Sequence, residues 1–397
     1  ISREKEQVRA RMAEIEAQLD RVGPVAEGAG SYALGQGHRV LGEDRAAREY
    51  LERAWSLGYR EPEVAYALGL TLGLQYQEEL QALEQLVDVE LQEARREEIE
   101  RTLREPTLEY LRASRGSDVV VPEYLEGLIA LYEKRYDDGL VKAAEASTRG
   151  DWFYEAHLLE AALYQAMALE SAAREDRDAG LQASGQARRA YRRAIDVGQS
   201  DPSAHLGLCE TWMAQMRVDY YHLDDLAPLV TEVETTCGDA LTVDPVLAGA
   251  QCTLSSAFRV HASHAAGRGR EPDGALARSL DHARQAVAID PDSELSHEVL
   301  GLAYFEAADL DWEYGRDAEP HCKLAIESFQ RALEINPTLA SAHGWLGDTY
   351  RTQAYARWDR GLDPLPAWGA AIQSYERVLG IHPTSTAYTD LGNIYVD

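Results

Sequence analysis

Apolar residues recur along this chain at the three- and four-residue spacing of amphipathic helices, and prolines interrupt the pattern at regular intervals. In the segment SFQRALEINPTLASAHGWLGDTY (residues 328–350), an alanine-rich run stops at Asn336-Pro337 and a second run begins a few residues later. Proline lacks an N–H and disfavours a helical residue before it, so a helix is predicted to end at each such proline. The prolines that follow a helical run are Pro202, Pro245, Pro291, Pro337 and Pro383, separated by 43, 46, 46 and 46 residues.

Other residues recur in phase with the prolines, which indicates a repeat. Around Pro337 the recurring positions are Ala325, Phe329, Ala332, Leu346, Gly347 and Tyr350. Leu-Gly and Tyr on a first helix, then Ala, an aromatic residue and Ala on a second helix before the proline, form the tetratricopeptide signature. The small glycine lets the second helix approach the first closely. We therefore predict an all-α fold, a right-handed tetratricopeptide superhelix (α-solenoid) of eight repeats and the first helix of a ninth.

The spacing inside the repeats predicts that several of them have elongated helices. The step from the first-helix glycine to the second-helix alanine is 12 residues in Gly35–Ala47 but 24 residues in Gly301–Ala325. Twelve extra residues shared between two helices lengthen each helix by about six residues, or roughly 9 Å. The register after Pro202 is left open by the pattern, because Leu206-Gly207 comes five residues early.

The chain is predicted to contain four segments. They are an amphipathic N-terminal helix (1–23), the first repeat with the start of the second (24–74), an inserted helical arm (75–118), and repeats three to eight with a truncated ninth (119–397). The N-terminal helix, with Val8, Met12, Ile15 and Leu19 on one stripe, either caps the first repeat or ends a connecting coiled coil. The apolar stripe of the arm packs either on the solenoid or on another chain, so self-association through either helix is open.

Composition limits the classes of partner. The 397-residue chain has 68 acidic and 39 basic residues, a formal net charge of −29, which argues against nucleic acid because phosphates would be repelled. The excess of acid either favours a basic protein or peptide partner or serves solubility alone. No apolar run reaches the length of a membrane span. We therefore expect a cytoplasmic chain, with any membrane attachment of a parent polypeptide lying outside it.

Residues with catalytic or metal-binding chemistry do not form a recognisable constellation. The chain has no GxGxxG, P-loop, GxSxG or HExxH motif, so no catalytic site and no cofactor are predicted. His261 and His264 have i, i+3 spacing, but a histidine pair without a third clustered ligand is more often solvated, and no metal is predicted. The four cysteines lie far apart without a CxxC pair and are interpreted as small buried packing residues: Cys209, Cys237, Cys252 and Cys322.

Surface recognition is the function that the repeat favours. Stacked first helices line the concave face of such a superhelix, which suits a peptide or a helix of another protein. Ten residues are predicted to face this groove, where each either binds a partner or packs between repeats: Tyr32, Gln36, Arg39, Tyr66, Glu298, Phe305, Glu306, Asp348, Arg351 and Asn393. A carboxylate clamp, which uses Lys and Asn at set first-helix positions, is not expected, because the chain has four Lys and only Asn393 fits.

A second candidate surface is the rim formed by the elongated connections. Its aromatic residues either anchor a partner, as interface hot spots do, or hold the longer helices together. They are Tyr220, Tyr221, Trp312, Tyr314, Trp358 and Trp368.

The segment from REKEQVRARMAEIEAQ onwards, residues 3–73, and the later YEKRYDDGL resemble the C-terminal tetratricopeptide region of bacterial eukaryotic-like serine/threonine protein kinases. The resemblance covers nearly the whole chain. It implies that a kinase domain would precede Ile1 and that the repeats sense or recruit partners. No Gly-rich loop, HRD or DFG motif is present in this chain, so no catalytic residue is carried over.

These observations predict a non-catalytic scaffold or sensor that binds a segment of a partner protein, as the regulatory part of a signalling kinase. Two alternatives stay open at this point. The chain belongs to a polypeptide whose principal activity is catalytic, or its open ends stack in a self-assembling structural solenoid.

Overall fold

The structure, a computed structural model, describes residues 2–22, 26–83, 89–118, 120–150, 152–174, 176–381, 388–389 and 391–392. Every regular element in these ranges is helical, so the predicted all-α class is confirmed. The chain divides into two compact units, Ile1–Met167 and Ala168–Asp397, which are described separately. The predicted helix stop at Gly23-Pro24 and the proline at 383 lie outside the described residues.

The first unit is built from helix pairs with short connections. Its helices are α1 (Ser2–Val22), α2 (Glu27–Leu41), α3 (Asp44–Ser56), α4 (Pro62–Leu83), α5 (Val89–Ile99), α6 (Glu105–Ala113), α7 (Pro122–Tyr132), α8 (Tyr136–Ser147) and α9 (Glu155–Ala173), the last of which contains the division between the units. The glycines mark where paired helices cross. A Cβ atom at Gly35 would lie 2.7 Å from Leu51 Cγ, and one at Gly69 would lie 2.7 Å from Leu111 Cδ2.

The N-terminal helix packs on the first repeat. Met12 of α1 is buried with Leu34 and Leu41 of α2, and Val8 and Leu19 pack against the same cluster. These contacts favour the capping role over the coiled-coil role for residues 1–23.

Residues 75–118, the predicted arm, contain the end of α4, then α5, a π-helical turn at Glu100–Arg104, and α6. The turn ends two residues before Pro106, near which an interruption was predicted. Leu83, Ile99 and Leu103 belong to one buried cluster with Tyr132 of α7, so these members pack within the first unit. Val87 and the side chain of Leu91 lie outside the described residues.

The second unit repeats one helix pair with a period of 46 residues. Its helices are α10 (Arg177–Val197), α11 (Pro202–Asp219), α12 (Ala227–Val243), α13 (Ala248–Ala266), α14 (Asp273–Ile289), α15 (Glu294–Glu313), α16 (Glu319–Ile335), α17 (Ala340–Asp359) and α18 (Leu365–Ile381). A Cβ atom at Gly301 would lie 2.6 Å from Phe329 Cε1, and one at Gly347 would lie 2.8 Å from Tyr375 Cε1. Each glycine therefore makes room for the aromatic residue 28 positions later.

The register that the pattern left open is settled by this period. α10 ends at Val197 and Pro202 begins α11 behind the Asp201 cap, so this proline also lies at a boundary between two helices. Ser255 lies 46 residues before Gly301, and Cys209 lies 46 residues before Ser255. Cys209, and not Gly207, therefore occupies in α11 the position that Gly301 occupies in α15.

The interpretation of the cysteines is corrected in part. Cys209 and Cys237 are joined by a disulfide between α11 and α12, with a Cα–Cα distance of 5.1 Å and a separation of 28 residues. The disulfide stands where α15–α16 and α17–α18 have a glycine against an aromatic ring. Cys252 and Cys322 are buried and free, as predicted.

Helix elongation is confirmed in the second unit. α2 and α3 have 15 and 13 residues, whereas α15 and α16 have 20 and 17. The long pairs reverse direction through glycines with φ between 66° and 69°, a left-handed conformation that side chains other than glycine rarely adopt. These glycines, again 46 residues apart, are Gly269, Gly315 and Gly361.

Candidate functional site

In the first unit, the structure connects the predicted groove residues of α2 through hydrogen bonds. Gln36 Nε2 donates to the hydroxyl of Tyr32 (2.9 Å), and Arg39 Nη1 donates to Gln36 Oε1 (2.8 Å). Tyr32, Gln36 and Arg39 follow one another at three- and four-residue steps, so they share one face of the helix. Tyr66 of α4 comes close enough to Arg39 to influence the pKa of its guanidinium. Two first helices therefore contribute to one polar face.

Burial controls the electrostatics of this face. Desolvation lowers the pKa of Arg39, an effect that Tyr66, Asp44 and Tyr32 partly offset. Desolvation raises the pKa of Tyr66 to about 12, so its phenol is neutral and can donate a hydrogen bond at neutral pH. Among the described residues, no carboxylate lies within ion-pair distance of Arg39, and Asp44 interacts with it only at longer range.

Two residues that the sequence reasoning missed extend this face onto α7 and α9. Tyr124 of α7 is partly buried, and desolvation raises its pKa well above its ordinary value; it interacts with Tyr66 and with Glu155 of α9. Tyr124 also contacts Phe153 edge to face, with ring centroids 5.3 Å apart. Both residues stand near the start of a first helix, as Tyr66 does, and this shared position was the available signal.

In the second unit, the predicted groove residues are held by internal contacts. Glu306 lies 3.7 Å from Arg259, and burial raises the pKa of Glu306. Arg351 lies 2.7 Å from Asp348, which also accepts a hydrogen bond from the Tyr375 hydroxyl (2.9 Å). These pairs satisfy each other's charge and favour the packing alternative for Glu306, Asp348 and Arg351.

The other predicted groove residues of this unit differ in their contacts and burial. Phe305 packs beside Trp345 with ring centroids 5.6 Å apart. Glu298 is half-buried on α15, and Asn393 lies outside the described residues. The sequence reasoning missed Asp309, whose pKa is raised by burial and by nearby Glu313, and which accepts a long hydrogen bond from Thr352 (3.5 Å).

The predicted rim residues separate into packed and exposed groups. Trp312 stacks on Tyr355 (5.4 Å) and donates to Asp359 (2.8 Å), and Trp368 meets the same tyrosine edge to face (4.8 Å). These contacts favour the alternative in which Trp312 and Trp368 hold neighbouring long helices together.

The remaining rim residues reach solvent to different extents. Tyr221 is 86% exposed, Trp358 66% and Tyr314 45%. Tyr220 is partly covered by His264 (5.3 Å between rings) and Ser263 (3.2 Å). The structure therefore leaves three exposed aromatic residues near the ends of α11, α15 and α17.

One histidine of the His261–His264 pair is not solvated. His264 is 2% exposed, and its Nε2 lies 3.0 Å from the carbonyl oxygen of Leu223, so it has a structural role at the end of α13. In the described part of the chain, no group of three or more His, Cys, Asp or Glu side chains is arranged to hold a metal ion. Among the helices that the structure describes, none combines the length and the hydropathy needed to span a bilayer.

Comparison with known proteins adds structural likenesses of low sequence identity. No protein-family model matches the chain, and no curated protein sequence matches it. The crystal structure of TTC0263, a thermophilic TPR protein of Thermus thermophilus, is 17% identical over 59% of this chain and 98% of its own, with a TM-score of 0.40. MamA of Desulfovibrio magneticus is 16% identical over 56% of this chain and 94% of its own, with a TM-score of 0.32.

A third likeness spans more of the chain. The Cut9–Hcn1 hetero-tetramer of the APC/C is 13% identical over 97% of this chain and 81% of its own, with a TM-score of 0.42. The assignment of tetratricopeptide-type helix pairs rests on the recurring glycine contacts described above.

Proposed function

We propose that this chain is a non-catalytic protein–protein interaction module that binds an extended segment of a partner along the first helices of its first unit. One observation carries the proposal: Arg39, half-buried beside Tyr66 and held by Gln36, makes no ion pair with a carboxylate of the described residues. A half-buried guanidinium without an anionic partner keeps unused hydrogen-bonding capacity, which a partner segment can use.

The tyrosines around Arg39 suit the same role. Tyrosine has few rotatable bonds and a large amphipathic ring, so it provides contact area at a low cost in conformational entropy. Tyr32 is already oriented by the hydrogen bond from Gln36 and contacts Tyr59, with ring centroids 6.0 Å apart. A face that is ordered before binding loses less entropy on association than a disordered one.

Three finer elements belong to this proposal, and the first two rest on the sequence alone. The resemblance to kinase-associated repeats supports a regulatory role in a signalling serine/threonine kinase. The net charge of −29 supports a basic partner. Packing of α1 on α2 leaves the polar side of α1 exposed, so self-association through this helix or through residues 75–118 is tested separately, by light scattering at rising concentration.

The groove is tested by selecting peptides from a random phage-displayed library on the full chain and measuring affinity by fluorescence anisotropy. We expect Arg39→Gln to weaken binding by about 10- to 150-fold, since hydrogen bonds to a charged group contribute about 1.5–3 kcal/mol. Tyr66→Phe, which removes only a hydroxyl, should weaken it by a smaller factor.

Two matched controls locate the surface. Arg101→Gln, on the exposed side of the π-helical turn, should leave the affinity unchanged. Tyr221→Ala removes an exposed rim residue; a loss of binding in this variant with none in Arg39→Gln would place recognition on the rim and overturn the groove.

The enzymatic alternative has a direct assay. The purified chain is incubated with ATP, magnesium and a generic protein substrate, and we expect no turnover. Phosphate transfer by this chain would refute the non-catalytic assignment.

A further inference from the structure

Arg188 occupies a position of the 46-residue period that later pairs give to apolar side chains. Two, three and four periods downstream the same position holds Leu280, Ile326 and Ile372, which pack into buried clusters. One period downstream it holds Glu234, which forms an ion pair with Arg278. Only at Arg188 does this position carry a charge that no opposite charge of the described residues pairs with.

The guanidinium of Arg188 lies on the face of an aromatic ring. Its Cζ atom is 3.9 Å from the centroid of the Trp212 ring on α11. When a guanidinium stacks on a ring, its flat face covers the ring, whereas its N–H groups lie along its edge. That edge can still bind a planar acceptor. The stacking therefore orients the donors without using them.

Two N–H donors at this point make no hydrogen bond within the described residues. Arg188 Nη1 and Trp212 Nε1 are both shielded from solvent and have no acceptor. A buried donor without an acceptor costs about 1–3 kcal/mol, and more when it is charged, so native proteins seldom keep two together. The pair indicates that an acceptor is supplied from outside the chain.

The surrounding charges favour an anion as that acceptor. Burial lowers the pKa of Arg188 to about 10, and Arg192 and Arg189 add to this effect, while Glu232 opposes it. Neither Arg189 nor Arg192 has a carboxylate within ion-pair distance among the described residues, although the chain as a whole carries 68 acidic residues. The local potential around Arg188 is therefore positive within a strongly acidic protein.

We propose that Arg188 and Trp212, between α10 and α11, form a binding site for an oxyanion, either a carboxylate or a phosphate. Both anions present two or more oxygens in the spacing that a guanidinium edge binds with two parallel N–H bonds. Arg192 adds a second positive charge one helical turn along α10. The proposal does not depend on the groove proposed for the first unit.

The test uses the full chain labelled with 15N and the indole N–H resonance of Trp212, assigned by its loss in Trp212→Phe. Sodium phosphate and sodium acetate are titrated in turn at constant ionic strength. We expect a saturable shift of this resonance with at least one of them, and the stronger response identifies the anion. Absence of a saturable shift with either anion would overturn the proposal.

Variants separate binding from general salt effects. Arg188→Leu, which introduces the leucine found at position 280, should abolish the shift. Arg188→Lys should weaken binding of the anion about tenfold, because lysine lacks the two-donor edge. Arg331→Leu, the same change at an exposed arginine of α16, should retain the shift. An equal shift in Arg188→Leu and in the unaltered chain would refute the site.

The same variant has a second readout that does not depend on a ligand. Arg188→Leu removes a half-buried unpaired charge and restores the apolar residue of the later repeats, so its Tm without anion should equal or exceed that of the unaltered chain. Added phosphate or acetate should raise the Tm of the unaltered chain and not that of Arg188→Leu. A lower Tm in Arg188→Leu would instead assign the arginine to packing on Trp212.

Discussion

The point at which α15 and α16 approach each other at Gly301 allows a quantitative prediction for Gly301→Ala. The added Cβ would lie 2.6 Å from Cε1 and 2.7 Å from Cδ1 of Phe329, whose side chain is fully buried. Carbon atoms in contact prefer about 3.5–4.0 Å, so the ring or the helix must move by about 1 Å. Overpacking of this kind costs about 1–3 kcal/mol, whereas alanine gains about 1 kcal/mol over glycine in a helix.

A matched control isolates the packing cost. Gly344 lies in α17, and a Cβ atom there would meet no atom within 4 Å. Gly344→Ala should therefore stabilise the chain by up to about 1 kcal/mol. Because both changes gain the same helix propensity, the difference between them measures overpacking, and we expect Gly301→Ala to be about 1–3 kcal/mol less stable than Gly344→Ala.

The assay is urea unfolding followed by circular dichroism at 222 nm, together with native-state hydrogen exchange of α15 and α16. Exchange is included because repeat arrays open locally, so a local loss can be hidden in a global transition. In a Phe329→Leu background the ring is absent, and Gly301→Ala should become neutral or stabilising. If Gly301→Ala is as stable as Gly344→Ala, or if Phe329→Leu leaves its effect unchanged, the crossing does not have the described geometry.

Two further predictions concern the second unit. Reduction of the Cys209–Cys237 disulfide, or the double change to serine, should lower the unfolding free energy by about 3–4 kcal/mol, from the loop entropy of a 28-residue separation, as measured by urea unfolding with and without reductant; detection of four free thiols in the native, unreduced protein would contradict it. Asp309→Asn should stabilise the chain at neutral pH. Burial raises the pKa of Asp309, so its ionised carboxylate lowers the unfolding free energy once the pH rises through that pKa, and this loss is absent below the ordinary pKa, where the group is neutral. The gain should vanish below about pH 3.9, and exposed Asp292→Asn should show no such pH dependence; a gain that persists unchanged at low pH would exclude the charge as its cause.

Much of the architecture followed from local chemistry that the sequence displays. Prolines 245, 291 and 337 fall between helices as predicted, because the missing N–H and the restricted preceding residue act within a few positions. Gly301 and Gly347 sit at helix crossings, because only a residue without Cβ admits the aromatic ring opposite. The longer spacing after these glycines became longer helices, since α-helical rise is constant per residue.

The candidate site was predicted less completely. Tyr32, Gln36, Arg39 and Tyr66 meet on one face because their spacing follows the helix and their helices are both first helices. Tyr124 was missed, since its contribution depends on the position of α7 and not on any motif. In the second unit, the contacts of Glu306 with Arg259 and of Asp348 with Tyr375 favour the packing alternative for these two residues.

By itself, then, the sequence determined the class of fold, the helix boundaries at several prolines and the elongation of the later helix pairs, because proline geometry, glycine size and helical period operate over a few residues. Only the tertiary structure decided which side chains meet across helices: the Cys209–Cys237 bond, the Arg259–Glu306 pair, and Arg188 on Trp212. Each of these joins residues more than twenty positions apart. Their distance depends on how closely and at what angle two helices pack, and the identity of many side chains together sets that angle.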